Sequence, residues 1–178
     1  MNPRPDMIIH VDMSGKFYNR ENVGIAWTDE KKQKHKGLFL SGKQVTRIVE
    51  NKNADDDFPR LYAICIYLIV KEDIDGIREL ILCTDETFLE VKEYLSSLFK
   101  KEGKSNKSIR SIGQYREEQK KGGRGGKIIS CADGFANSYR KRGSKECRWD
   151  KGRKLNLVKA SYEEIIRLWN LIDLEKNR

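Results

Sequence analysis

The sequence predicts an α/β domain, a five-stranded mixed sheet flanked by helices. Three observations lead there. Three short strand-like runs, Met7–Met13, Val23–Thr28 and Gly37–Leu40, follow one another across brief polar connections, the pattern of an antiparallel meander. Beyond Leu40 the order changes to helices alternating with strands, as in α/β layer structures. A chain of 178 residues can bury an ordinary core in one domain, so folding requires neither a metal nor a disulfide.

Each element has its own signal. Residues 1–6 hold two prolines and no periodicity, and read as a tail. In the first strand the period of two puts Ile8, His10, Asp12 and Ser14 on one face; in the second, Val23, Ile25 and Trp27 share a face. Asn19–Asn22 and Asp29–His35 are polar turns. Gln44–Asn53 reads either as a short helix or as an irregular segment. Asp55-Asp56-Asp57-Phe58-Pro59 has the form of a helix start, with acidic residues ahead of the first turn and proline near its first position. The run that follows to Val70 is apolar on all sides, which predicts a buried helix.

Ile77–Thr84 is the fourth strand, and Thr87–Lys101 an amphipathic helix with Phe88, Val91, Leu95 and Leu98 on one stripe. Ile109–Tyr115 reads as the fifth strand, Gln119–Lys127 as a Gly-rich basic loop, and Gly134–Lys141 as a short helix. Lys154–Lys159 is a further strand candidate. Ser161–Glu164 is a capping box opening a last helix with Ile165, Leu168, Trp169 and Ile172 inward. The organisation expected is a tail (1–6), a domain (7–142) and a C-terminal extension (143–178). The extension ends in an amphipathic helix packed on the same domain or on a neighbouring subunit, which leaves a homo-oligomer open.

The net charge is +9, and it is unevenly spread. From Lys100 to Lys154 there are 18 basic and 6 acidic residues, a balance of +12, and the rest of the chain carries −3. So concentrated an excess points to a nucleic-acid partner, with Lys120, Lys121, Arg124, Lys127, Arg140 and Lys141 as the contacts to its backbone. The longest apolar run, Leu61–Val70, is too short to span a bilayer, and no charged-then-apolar signal opens the chain. The expectation is a soluble cytoplasmic protein with no membrane partner. The four cysteines form no C-x-x-C pair and read as free thiols, those of Cys65 and Cys83 lying in apolar runs.

Three carboxylates stand out against this background. Asp12 interrupts the apolar first strand, where an unpartnered carboxylate is costly. Asp85 follows the most strand-like run of the chain, and Asp133 lies where a strand or loop enters a helix. The local alternative for Asp85 and Asp133 is a helix cap. Together, three carboxylates in a strongly basic chain suggest a divalent-metal site, since the ion cancels their repulsion while the basic surface attracts a polyanion. His10, on the face of Asp12, reads as a core histidine, His35 as exposed, and Ser14 as a small residue beside the metal. Tyr115 and Tyr139 read as core residues, with stacking on bases as the alternative.

The element order resembles the ribonuclease H-like superfamily, and three motifs carry the resemblance. Val11-Asp12-Met13-Ser14-Gly15 is similar to its first-strand Asp followed by small residues. Cys83-Thr84-Asp85 is similar to the Asp ending the fourth strand, and Ala132-Asp133-Gly134-Phe135-Ala136-Asn137 to the late helix. The resemblance covers Met7 to Arg142 and implies that the first and fourth strands lie side by side and parallel, with carboxylates meeting there and a third coming from the later helix. One position departs: ribonuclease H proper carries a Glu early in the first long helix, where this chain has Arg60. Asp57 or Asp56 at the helix cap is the candidate fourth carboxylate; otherwise the ligands are three.

What the resemblance implies is a two-metal nuclease using Mg²⁺ or Mn²⁺, with Asp12, Asp85 and Asp133 as catalytic metal ligands and Asp57 as a fourth. The substrate is single-stranded DNA, RNA or an RNA–DNA hybrid, and Arg60 tips the reading toward an exonuclease outside ribonuclease H proper. The alternative is a catalytically inactive nucleic-acid-binding module on the same fold.

Overall fold

Strand β1 (Met7–Ser14) lies inside a mixed sheet, between β2 (Val23–Asp29) on one side and β4 (Ile77–Leu82) on the other. The computed structural model describes residues 6–83, 87–105, 107–121, 132–142, 149–150 and 153–176. Strands β2 and β3 (His35–Leu40) complete the antiparallel meander, with Asp12 opposite Ala26 and Ala26 opposite Gly37. Beyond β4 lies β5 (Ser108–Ser111), and both run parallel to β1. Two short strands, β6 (Trp149–Asp150) and β7 (Arg153–Lys154), form a separate antiparallel ribbon.

The main sheet has six strands, in the order β5-β4-β1-β2-β3-β8, and not the expected five. The extra strand, β8 (Leu157–Val158), runs parallel to β3 with Leu157 beside Gly37 and Val158 beside Leu38. Two residues are too few to show an alternating pattern, so only pairing with β3 defines the strand. A second correction concerns Ile109–Tyr115. The strand stops at Ser111, and Ile112–Lys121 is helix α4. Ser111 caps it reciprocally: its hydroxyl accepts from the Gln114 N–H at 3.2 Å, and the Gln114 side chain accepts from the Ser111 N–H at 3.0 Å.

Gly42–Lys52, left open between helix and irregular chain, is helix α1, opened by a capping box between Ser41 and Gln44. Helix α2 (Phe58–Val70) has proline in its first turn and is buried at every position from Arg60 to Val70, as its uniform apolarity predicts. Each fully buried Leu or Ile there contributes about 1.5–3 kcal/mol by leaving water. At its C-terminal end the carbonyl of Ile69 accepts from the Trp27 indole N–H at 2.9 Å, satisfying a group the helix itself cannot. Helices α3 (Phe88–Lys101) and α6 (Tyr162–Lys176) pack against α2, and α6 also meets α1. The Ser161 hydroxyl accepts from the Glu164 N–H at 3.1 Å, while the Glu164 carboxylate pairs with Lys71 at 2.6 Å.

Helix α5 (Asp133–Arg142) crosses the opposite face, over β2 and its neighbours. Two glycines admit it. A Cβ on Gly24 would collide with the backbone of Ala136 and Arg140, and one on Gly37 would enter the Tyr139 ring. Among the described residues no helix is long and apolar enough to cross a membrane.

Candidate functional site

Asp12 stands near the C-terminal end of β1, half-buried, with its Oδ1 accepting from the Met13 N–H at 2.8 Å. The parallel neighbour brings a second chain end beside it. Val11 is level with Leu82, and the Cys83 N–H continues the ladder to the Val11 carbonyl at 2.9 Å. Asp85, two residues further on, lies outside the described residues, as do Arg124 and Lys127.

These strand ends open into a cleft of about 1130 Å³ between the turn after β1, the start of α2 and the start of α3. Five carboxylates line it, from Asp12, Asp56, Asp57, Glu90 and Glu93, against one lysine, Lys16. An acidic cleft in a chain of net charge +9 is a local reversal of sign, and its all-oxygen donors suit a hard cation such as Mg²⁺ or Mn²⁺. Among the described residues, no three His, Cys, Asp or Glu side chains converge as metal ligands. Of the expected ligands, Asp12 and Asp57 line this cleft.

Asp57, the expected fourth ligand, is engaged otherwise. Its Oδ2 lies 2.9 Å from the Arg60 guanidinium and accepts from the Tyr94 hydroxyl at 3.3 Å. Arg60 is buried, with its guanidinium over the rings of Trp169 and Tyr94 at 4.8 and 5.0 Å. Asp57 supplies the opposite charge that makes such burial tolerable. Arg60 is therefore a buried cation that holds the cap carboxylate to itself.

Asp133 opens α5 and is exposed. Its helix lies on the sheet face toward which Asp12 points: Ala26, cross-strand from Asp12, packs with Phe135, Ala136 and Tyr139. His10 on that face is buried, edge-on to the Tyr115 ring at 5.3 Å. Burial pushes its pKa below the usual histidine value, against the opposing pull of Glu30 and Glu79. It is the core histidine its surroundings suggest.

His35, expected to be exposed, is half-buried. It stacks on Phe135 at 4.5 Å, and its Nδ1 lies 3.1 Å from the Tyr139 hydroxyl. Tyr139 and Tyr115 are both buried, which removes them as platforms for bases. Arg140, expected on nucleic acid, instead straps the β1–β2 turn, donating to the Asn22 carbonyl and to Glu21 at 3.1 Å each. Lys121 and Lys141 are exposed, and Lys120 lies in α4 beside Lys121.

Two features escaped the sequence reading. One is Tyr62, whose hydroxyl lines the acidic cleft from inside an apolar run, a setting that signals only core. The other is a shallow groove of about 1020 Å³ beside α1, where Arg20, Lys43 and Arg47 concentrate positive charge. Arg47 lies over the Tyr162 ring at 3.7 Å. Lys43 and Arg47, one helical turn apart, were the only cue available in the sequence. No family model matches the chain, and no curated protein and no solved structure is significantly similar to it.

Proposed function

We propose that this chain is a divalent-metal-dependent nuclease of the ribonuclease H-like kind, hydrolysing phosphodiester bonds in single-stranded DNA, RNA or an RNA–DNA hybrid. An exonuclease outside ribonuclease H proper is the preferred form. The observation that carries the reading is Asp12, at the end of a central strand with a parallel neighbour, opening into a carboxylate-lined cleft of a basic protein. The antiparallel start of the sheet and the parallel β1–β4 pair agree with that superfamily's arrangement.

In this reading Asp12, Asp85 and Asp133 would hold Mg²⁺ or Mn²⁺, which when bound lowers the pKa of a water and offsets charge on the phosphoryl oxygens. The Met13 N–H orients the Asp12 carboxylate. Arg60 keeps Asp57 out of the ligand set, which favours three carboxylates over four. Lys120, Lys121, Arg124, Lys127 and Lys141 lie in the basic third of the chain and would neutralise the substrate backbone, and the groove with Lys43 and Arg47 adds a second basic surface. Arg20 and Asn22 on that groove and Tyr18 on the acidic cleft belong to one turn, so the two surfaces adjoin.

The test is cleavage of end-labelled single-stranded DNA, single-stranded RNA, duplex DNA and hybrid, in Mg²⁺, in Mn²⁺ and in chelator. Asp12→Asn should lower metal-dependent cleavage by at least about 10³-fold, roughly 4 kcal/mol of barrier. Asp85→Asn should act likewise. The Arg60–Asp57 pair favours one second reading, a nucleic-acid-binding module without catalysis. Salt-sensitive binding with no cleavage, unchanged in Asp12→Asn, would establish it.

A further inference from the structure

Tyr62 brings a buried hydroxyl to the acidic cleft whose placement its described neighbours do not explain. Tyr62 is 4% exposed, lies on α2 and lines the cleft together with Asp12 and Cys83. Its oxygen has no hydrogen-bond partner among the described residues. A buried hydroxyl left unbonded costs about 1–3 kcal/mol relative to a bonded one, and phenylalanine would avoid that cost with the same ring. Elsewhere the chain bonds its buried tyrosines: the Tyr139 hydroxyl meets Asn156 and His35, and that of Tyr115 meets Glu30. Tyr62 is the exception, and it is a residue of the candidate cleft, its oxygen closed to solvent.

We propose that the Tyr62 hydroxyl is a substrate-binding group, a hydrogen-bond donor held ready for a non-bridging phosphate oxygen of a nucleic-acid strand entering the Asp12 cleft. The inference rests on the nuclease reading for the identity of the ligand. A tyrosine hydroxyl is protonated at neutral pH, so it offers a proton and not an anion. A donor deep in a carboxylate-lined cleft is matched by a ligand that presents acceptor oxygens and enters with a cation. A phosphate accompanied by a divalent ion meets both conditions.

Tyr62→Phe removes only the oxygen. In metal-free buffer its thermal midpoint should equal or exceed that of the wild type, because no bond is lost. With a fluorescein-labelled single-stranded oligonucleotide in Ca²⁺, its affinity should fall roughly 10- to 100-fold, the range for one hydrogen bond to a charged group. An affinity equal to wild type overturns the inference, and so does a lowered metal-free midpoint, which would mean the hydroxyl serves the fold. Wild-type protein that binds the oligonucleotide but cleaves nothing in Mg²⁺ or Mn²⁺ overturns the nuclease reading alone, since the affinity of Tyr62→Phe still decides the role of Tyr62. No binding by the wild type overturns both.

Discussion

Against one face of the sheet lie α1, α2, α3 and α6, sharing one cluster of buried hydrocarbon that runs from Ile9 to Ile172. Against the other lie α4 and α5, where the described residues form two clusters of five and three buried residues. The thin face also carries several buried polar groups, whereas on the thick face Arg60 and Lys36 are buried only as members of ion pairs. His10 and Thr28 are buried there, and Glu79 meets Arg110, which in turn meets Glu118. The thick face holds by area and tolerates few polar atoms. The thin face holds by close backbone approach at Gly24 and Gly37 and by specific hydrogen bonds such as those of Tyr139. Asp12 belongs to the thin face, where a carboxylate finds polar company and an opening to solvent. The two sides of one strand are thus held by different means, and the cleft that Asp12 lines lies at the strand end, where the starts of α2 and α3 meet it.

That division can be broken most strongly on the thick side. Ile66→Ala removes a fully buried side chain from α2 and should cost about 2–5 kcal/mol in denaturant unfolding, while the folded fraction keeps its nucleic-acid affinity. On the thin side, Gly24→Ala pushes a methyl group into the α5 backbone and should cost about 1–3 kcal/mol. Unlike Ile66→Ala, it should also change activity in the remaining folded protein, because α5 carries Asp133 and must shift. Equal activity losses per folded molecule in the two variants would contradict the division.

The smallest effect lies at the rim of the thick face. Arg167 bonds Glu102 at 2.8 Å, and the Tyr67 hydroxyl lies 3.3 Å from the same carboxylate. The bond from Arg167, against the opposing effect of burial, holds the Glu102 pKa below its ordinary value. A carboxylate lowered in the folded state adds stability above its unfolded pKa of about 4.3 and loses it as the pH falls through the folded value. Glu102→Gln should therefore cost about 0.5–1 kcal/mol at pH 7, a modest figure because Arg167 is half-exposed and screened. The gap from wild type should close below about pH 4, as read from thermal midpoints across pH.

Much of the architecture was legible because it is local. The uniform apolarity of α2 and the stripe of α3 each report their own burial. Where the reading failed, a short-range signal was present but overlooked, or no signal existed. Ser41-x-x-Gln44 and Ser111-x-x-Gln114 are capping signatures of the same kind as Ser161-x-x-Glu164. Reading them would have opened α1 at Gly42 and stopped the fifth strand at Ser111. For β8 the sequence offered a strand candidate, Lys154–Lys159, but no cue to its partner, which is β3.

At the candidate site the same boundary holds. The chain by itself determined that Asp12 shares a strand face with His10, that proline and acidic residues open α2, and that positive charge gathers between Lys100 and Lys154. Periodicity and composition are properties of neighbours in sequence, so no fold is needed to read them. Only the tertiary structure decided that Arg60 is buried against Trp169, that Arg140 straps the β1–β2 turn, and that Tyr62, its hydroxyl unbonded among the described residues, lines the cleft of Asp12. Whether a charge is neutralised or a donor satisfied depends on groups within a few ångströms. Over 50 to 120 residues of chain, packing alone sets which groups those are.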